Sequence, residues 1–392
     1  MTAERARLRH RVEPWGAWVR VPEPPMLVGL DREGARAIGI AGGAAWTDAP
    51  AAAPAPLEVH LAVTARCAAG CEGCYLEATP DGPEPDGSVV RARLEAIARA
   101  GAFTVAFGGG EPTTRADLGD LADHARALGL SPVVTTSGLG LGARKIAALA
   151  RFDQVNVSFD GEGAAYVAVR GFDGAEDALG AIAAIAAAGV RVGVNVVLTR
   201  ATFDDLPRAM DRAIDAGARE IQLLRYKPAG RAASPTYLAR RLSPAQVERF
   251  PAALQALAAR ARERGAAVRI DCALVPFLST ADLDPAALAR FGVFGCEAAQ
   301  ALAAVRVDGR VAPCSFAAPG ALDATSLADD ALRGADPELE AHRAGAAGAV
   351  EPCASCPIRA VCKGGCKVVS RHLGAGIAPD PECPRVRRAR GA

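Results

Sequence analysis

Residues 57–75 read LEVHLAVTARCAAGCEGCY. The stretch 57–63 is almost wholly apolar or β-branched and predicts a buried strand. It runs through Thr64, Ala65 and Arg66 into three cysteines, Cys67, Cys71 and Cys74, at Cys-x3-Cys-x2-Cys spacing. A strand that delivers three thiols to the loop at its C-terminal end speaks to fold and chemistry together. Parallel α/β folds keep their chemistry at that end of the strands, and thiolates are soft ligands for zinc or iron–sulfur centres. Three thiols on one short loop can hold three irons of a cubane and leave the fourth open to a ligand. Structural zinc takes four ligands, commonly in paired Cys-x2-Cys knuckles, and no nearby Cys or His completes this set.

Downstream, apolar runs alternate with helical patterns. Strands are predicted at 103–107, 132–136, 155–159, 190–198 and 220–224. Helices are predicted at 89–100, 115–128, 143–150, 175–188, 203–216 and 244–264. Six βα units of roughly 30 residues each imply a parallel sheet with right-handed crossovers. Six are too few for a closed eight-stranded barrel, so the expected fold class is α/β, a partial (β/α)6 TIM-like barrel over 57–270.

Around this barrel the chain divides further. Residues 1–56 are expected to form a small β-rich segment and linker. All three tryptophans lie there, with short β-like runs at 16–21, 26–29 and 35–40 and an Ala/Pro linker at 50–56. After about 270 the rhythm stops, leaving a Cys-, Gly- and Pro-rich domain over 271–384 with short runs such as 303–307. A segment with so little core patterning needs another organiser, and metal ligation can supply folding energy. The basic end, 385–392, is expected to be a solvated, disordered tail.

Composition excludes several classes. The 392 residues are 51% hydrophobic and 23% charged with a net charge of +1, which gives no electrostatic case for nucleic acid or membrane as partner. The apolar stretch 178–198 is broken by Gly180, Arg191 and Asn195, so it is a helix and a strand rather than a membrane span. Residues 1–20 lack a signal-peptide core, which suggests a cytoplasmic protein with reduced thiols. The count of 11 cysteines is odd and fits ligation better than a closed disulfide set. Four of the 45 basic residues are lysines, Lys145, Lys227, Lys363 and Lys367; the excess of arginine and alanine is attributed to genomic base composition.

The triplet resembles the cluster motif of the radical S-adenosylmethionine (SAM) superfamily, and residues at successive strand ends extend the resemblance. Gly109, Gly110 and Glu111 resemble that family's GGE motif, which implies contacts to the amino group of SAM. A glycine pair admits close backbone approach and a carboxylate suits an ammonium. Thr136, between Thr135 and Ser137, ends strand three; Ser158 and Asp160 end strand four, where the family places a hydroxyl on the SAM ribose. Arg170 resembles an arginine that reaches the SAM carboxylate. Asn195 and Leu223, on strands five and six, are candidates for ribose or adenine. Family members often carry an aromatic residue just before the third cysteine; here it is Gly73, and Tyr75 follows instead.

The later cysteines resemble the seven-cysteine pattern of the SPASM domain. Cys296 is followed by Gly309 and then, with four residues between, by Cys314; then come Cys353, Cys356, Cys362 and Cys366 at x2, x5 and x3 spacing, and finally Cys383. The resemblance implies two auxiliary [4Fe–4S] clusters: an outer one on Cys353, Cys356, Cys362 and Cys383, and an inner one on Cys296, Cys314 and Cys366. Cys272 is either the fourth inner ligand or a buried structural thiol. Lys363 and Lys367, beside the ligands, can offset cluster charge.

The implied cofactors are SAM and three [4Fe–4S] clusters, one catalytic and two auxiliary. The implied reaction is reductive cleavage of SAM, with a flavodoxin or ferredoxin as electron donor, to a 5′-deoxyadenosyl radical that abstracts hydrogen from a precursor peptide. The outcome is an oxidative C–C, C–O or thioether crosslink. One alternative is formylglycine formation as in anaerobic sulfatase maturases, which place an aspartate after the second cysteine of the array where Ser315 stands here. The other is a non-catalytic zinc or iron–sulfur scaffold.

Overall fold

The computed structural model describes residues 9–21, 26–48, 55–328, 336–347, 350–377 and 379–391. Its main sheet has nine strands: β4 (Glu58–Thr64), β5 (Thr104–Gly109), β6 (Ser131–Thr136), β7 (Gln154–Ser158), β8 (Val192–Leu198), β9 (Glu220–Arg225), β10 (Ala267–Ile270), β11 (Leu302–Val305) and β12 (Val311–Ala312). Their order across the sheet is β10-β9-β8-β7-β6-β5-β4-β11-β12. Every neighbouring pair is parallel except β11 with β12. The six expected strands are all present, and two parallel strands are added to them. β10 follows the long helix Pro244–Glu263. β11, foreshadowed only as a short apolar run, returns to the far edge and pairs with β4, Leu302 opposite Glu58 and Val305 opposite Leu61. The edge strands β10 and β12 do not pair with each other, so the barrel stays open.

Burial alternates along every central strand, as the period of two requires. Val59, Leu61, Val105, Phe107, Val134, Val155, Val157, Val194, Val196, Ile221 and Leu223 are buried on the convex face. There they meet apolar helix residues such as Leu94, Ile97, Leu121, Ile182 and Met210 in one continuous core. Each such side chain contributes about 1.5–3 kcal/mol on burial. The concave face is different. His60, Thr104, Thr135, Asn156, Ser158, Asn195 and Gln222 are only half-buried there. A closed TIM barrel fills its interior with branched apolar side chains; this interior is polar and open.

A second, antiparallel sheet has order β1-β2-β3, with β1 (His10–Glu13), β2 (Gly16–Val21) and β3 (Met26–Asp31). Arg9 Nη2 donates to Ala102 O at 2.6 Å, Arg11 Nη1 to Gly101 O at 3.0 Å, and Arg20 to Gly129 O and Asp153. These acceptors lie just before β5, β6 and β7, so the small sheet sits at the N-terminal ends of the barrel strands, away from the cysteine loop. Two details differ from expectation. β1 carries no sequence signal that was read as a strand. The expected run 35–40 is instead the end of a helix, Arg32–Ala37, because Asp31 caps it by accepting from Gly34 N–H at 2.7 Å. Most of the expected linker, 50–54, lies outside the described residues.

The basic end is ordered over its described part, contrary to expectation. Pro384–Ala389 is a helix with Pro384 in its first turn. Val386 is buried, Arg385 Nε donates to Pro352 O at 3.1 Å, and Arg388 pairs with Glu248. A single apolar residue among arginines was enough to dock one face of it.

Candidate functional site

Cys67, Cys71 and Cys74 stand on the loop after β4, half-buried. The loop has little regular structure and is held by its neighbours. Cys67 N–H donates to Thr79 O at 2.8 Å, and Cys74 N–H to Cys71 O at 3.3 Å. Arg231 supplies the main clamp: its Nε donates to Cys71 O at 2.9 Å, its Nη1 to Ala78 O at 3.1 Å, and its backbone N–H to Cys74 O at 2.9 Å. Gly230 makes this approach possible. Its φ is +54°, and a Cβ there would lie 2.6 Å from Cys74 O. Nothing in the sequence reading singled out Gly230 or Arg231; their signal, a glycine–arginine pair just past a strand end, is weak on its own.

Beside this loop ends β5. Gly110 N–H donates to Thr64 O at 2.7 Å and Glu111 N–H to Arg66 O at 2.8 Å. A Cβ on Gly109 or Gly110 would lie 2.2 Å from Thr64 O or Arg66 O, so only glycine fits where the two strand ends cross. The Glu111 carboxylate is buried and oriented by several donors. Oε1 accepts from Thr113 N–H, Thr113 Oγ1 and Thr136 Oγ1; Oε2 accepts from Ser137 N–H and Oγ, both at 2.7 Å. Thr136 therefore orients the glutamate.

The next strand ends supply Ser158 and Asn195, paired across β7 and β8 on the open face. Asn195 Oδ1 is buried without a hydrogen-bond partner among the described residues, which marks a place for a polar ligand. Asp160 is fully buried and accepts from Arg170 Nε at 2.6 Å and Val197 N–H at 2.7 Å. It fixes Arg170 beside the loop, where the charge of Cys71 and that of Asp160 hold the guanidinium above its ordinary value against the opposing effect of burial. Leu223 does not face the open side: it is fully buried in the convex core, and Leu224 is the half-buried neighbour that turns inward.

The eleven thiols gather in three groups. The charges of Cys71 and Cys74 act on Cys67. Cys353, Cys356, Cys362 and Cys383 line one small cavity, together with Ser279, Arg359 and Asp380. Cys272, Cys296, Cys314 and Cys366 form the third group: the charge of Cys296 acts on each of the other three. Cys272, on a short helical turn after β10, is the fourth thiol of this group. Burial pushes the metal-free Cys314 and Cys366 thiols up to about 11 and about 12, and the Cys272 thiol well above its ordinary value. Metal ligation at such thiols is coupled to release of their protons. Among the described residues no three His, Cys, Asp or Glu side chains close on one point as ligands of a single ion do. Cys353, Cys356, Cys362 and Cys383, four soft donors around one cavity, are of the kind that hold iron–sulfur centres.

The inner group adjoins the barrel. Tyr75, next to Cys74, packs on Phe316, two residues past Cys314, with ring centroids 4.8 Å apart. Lys227 Nζ lies 4.2 Å from the Phe316 centroid and is paired with Asp271, the neighbour of Cys272. Arg225, at the end of β9, donates to Asp380 at 2.5 Å, Glu382 at 2.6 Å and Ala273 O at 2.9 Å, all buried. Lys363 pairs with Glu297 at 2.5 Å, while Lys367 is fully buried and donates to Lys363 O. No helix among the described residues is long and apolar enough to cross a membrane.

The chain is similar to known proteins in sequence and in fold. Residues 61–213 match the model of the Radical SAM superfamily. The chain is 32% identical to the PqqA peptide cyclase of Streptomyces rochei over 84% of its own length and 89% of that protein's. It is 30% identical to the PqqA peptide cyclase of Methylobacterium nodulans, over 84% of its own length and 86% of that protein's. In fold it is similar to Streptococcus suis SuiB bound to precursor peptide SuiA, with a TM-score of 0.71 and 16% identity over 96% of this chain and 98% of that one. It is also similar to anSMEcpe with bound AdoMet and a peptide, with a TM-score of 0.62 and 17% identity over 86% and 95%. The chain belongs to the radical SAM superfamily, in the SPASM-type family that includes the PqqA peptide cyclases.

Proposed function

We propose that this enzyme crosslinks a precursor peptide oxidatively, in the open polar lumen between the Cys67–Cys74 loop and the C-terminal thiols. One observation carries the reading: the Tyr75–Phe316 contact joins the loop of the first thiol group to that of the inner group across one wall of the lumen. A radical formed at one group is then next to an electron acceptor at the other, as a net two-electron oxidation requires.

Each residue has a place in this scheme. Cys67, Cys71 and Cys74 hold a [4Fe–4S] cluster. Gly109 and Gly110 present backbone, and the anchored Glu111 carboxylate receives the SAM ammonium. Ser158 and the unpaired Asn195 Oδ1 receive the ribose, and Arg170, held by Asp160, meets the SAM carboxylate. Cys353, Cys356, Cys362 and Cys383 hold the outer cluster; Cys272, Cys296, Cys314 and Cys366 hold the inner one. When bound, SAM and the reduced cluster supply a carbon radical able to take hydrogen from an unactivated C–H bond. The chain orients the reactants, shields them from water and keeps the acceptor close. A flavodoxin or ferredoxin supplies the electron that starts each turnover.

Co-expression with the peptide encoded by a small reading frame beside the gene tests the reaction: mass spectrometry is expected to show loss of two hydrogens. Replacing Cys67, Cys71 and Cys74 together by alanine is expected to abolish 5′-deoxyadenosine and to remove about four of about twelve irons. Nucleoside formation by that variant refutes the assignment, and one or two zincs per chain in place of iron refutes the enzyme reading.

A further inference from the structure

A hydrogen-bonded trio in the lumen has no part in the scheme above. Glu58 and His60 project from β4 to the concave face, and Ser315 directly follows Cys314. His60 Nδ1 shares a hydrogen bond with Ser315 Oγ at 2.7 Å, and His60 Nε2 one with Glu58 Oε1 at 2.9 Å. A carboxylate, an imidazole and a hydroxyl in line form the arrangement that moves protons in many enzymes. The trio is open to the lumen: the His60 and Glu58 side chains are 35% and 44% exposed. A trio that served packing alone would have little reason to stay open.

The surroundings favour an anionic Glu58. Partial desolvation of this half-open side chain works against it, but the hydrogen bond and charge of His60 and the charge of Arg269 from β10 hold the carboxyl below its ordinary value. From the other side, Arg306 Nη1 approaches the Ser315 carbonyl at 3.5 Å. Ser315 also lies between an inner-group thiol and Phe316, on the wall that faces Tyr75.

We propose that Ser315, His60 and Glu58 are a proton relay that receives the proton released as the peptide crosslink forms; this rests on the crosslinking function proposed above. Making one bond from two X–H groups removes two hydrogens. One leaves as an atom, taken by the SAM-derived radical. The other leaves as an electron and a proton. The electron would go to an oxidised [4Fe–4S] centre, which Cys272, Cys296, Cys314 and Cys366 would hold. The proton passes from the substrate X–H to Ser315 Oγ while the Ser315 proton passes to His60 Nδ1, and Glu58 holds the resulting imidazolium through Nε2–H. The relay thus places its base one residue from a ligand of the acceptor, so electron and proton leave at the same spot.

The test has two arms. In the first, the PqqA peptide of Streptomyces rochei is the probe. The ratio of 5′-deoxyadenosine to crosslinked peptide is expected to rise about tenfold or more in His60→Gln and Ser315→Ala, because a positioned base contributes that much or more. Ser315→Asp is expected to bring the ratio back towards wild type. An unchanged ratio in both variants overturns the relay. The second arm needs no substrate. In the cluster-loaded protein, deuterium exchange at His60 Cε1 at one fixed pH, read by peptide mass spectrometry, reports the surroundings of the ring. Glu58→Gln is expected to change the time course of that exchange, because it removes the carboxylate that accepts from Nε2. Identical profiles overturn the relay. If wild type leaves the probe peptide uncrosslinked, the proposed function fails for that peptide, and the exchange arm still decides the relay.

Discussion

The strands that carry Cys67, Cys71 and Cys74 have a core of their own, whereas the segments that carry the other thiols have little. From β4 to β10 the chain supplies most large members of the continuous core, among them Phe107, Phe152, Phe159, Phe203 and Phe250. Beyond residue 295 the buried apolar residues are mostly alanine and valine, and the helices Arg359–Cys362, Lys367–His372 and Pro384–Ala389 are too short to be stable alone. In that region Cys296, Cys362, Cys366 and Cys383 are themselves core residues. The barrel therefore presents its metal site on a finished scaffold, and the C-terminal region is built around its metal sites.

The sharpest way to break that contrast is to remove the metal. Structural metal sites contribute on the order of 10 kcal/mol to folding, more than the short helices beyond 350 can replace. Anaerobic chelation is expected to abolish hydrogen-exchange protection in segments 296–328 and 350–390. Protection in β5 to β9 is expected to persist, because no thiol lies on those strands. Equal loss in both regions would falsify the contrast.

A second effect lies at the joint. Arg225 stands on the barrel side and Asp380 and Glu382 on the other, and the guanidinium is raised well above its ordinary value by their charges, against burial. Arg225→Met leaves the buried Asp380 carboxylate without its cation while Glu382 keeps Arg241, and breaking one partner of a buried pair typically costs about 3–5 kcal/mol. Thermal unfolding is expected to split into two transitions, the C-terminal one at lower temperature. A single, slightly lowered transition would mean that β11, paired to β4, carries the joint instead. The Arg231 clamp is a smaller matter. Arg231→Ala removes its two side-chain hydrogen bonds to loop carbonyls, about 1.5–3 kcal/mol each with a charged donor. Global stability is expected to stay near wild type while the SAM concentration needed for half-maximal cleavage rises. Lost stability with unchanged SAM dependence would show that the clamp serves the fold rather than the loop.

How much of this could be read from the sequence follows the same division. The central strands were legible because their period of two is set by one buried face, and the crossover helices because they repeat between them. β10 and β11 are four residues each, too short to show a period, so the sheet gained two parallel strands. The Leu223 candidate failed through strand parity: a one-residue step puts Leu224, not Leu223, on the open face. Thr136 and Asp160 were found but not their work, since orienting Glu111 and Arg170 depends on contacts between strand ends. The lysines held a signal that composition obscured. In a chain that otherwise uses arginine, Lys227, Lys363 and Lys367 all stand among the inner or outer thiols. A lysine ammonium is a compact point charge on a flexible stem, which suits the space beside buried thiols.

The smallest expected effect tests whether any of the C-terminal region holds without metal. Asp336 caps the helix Pro337–Ala347: its Oδ1 accepts from Glu338 and Leu339 N–H, and its Oδ2 from Ala321 N–H at 2.7 Å, tying the helix to the loop after β12. Burial pushes its carboxyl up, but the backbone N–H groups of Leu339, Ala321, Glu338 and Leu322 outweigh burial and hold it below its ordinary value. A carboxyl depressed in this way stabilises the fold at pH above its unfolded value, near 3.8, and that contribution is lost as pH falls through the lower folded value. Asp336→Asn keeps one acceptor and removes the charge, so its difference from wild type in exchange protection of Pro337–Ala347 is expected to be present near neutral pH and to shrink towards about pH 3. A difference that is the same at both pH values would assign the cap to hydrogen-bond geometry alone. It would also leave ligation as the main source of order in that part of the chain.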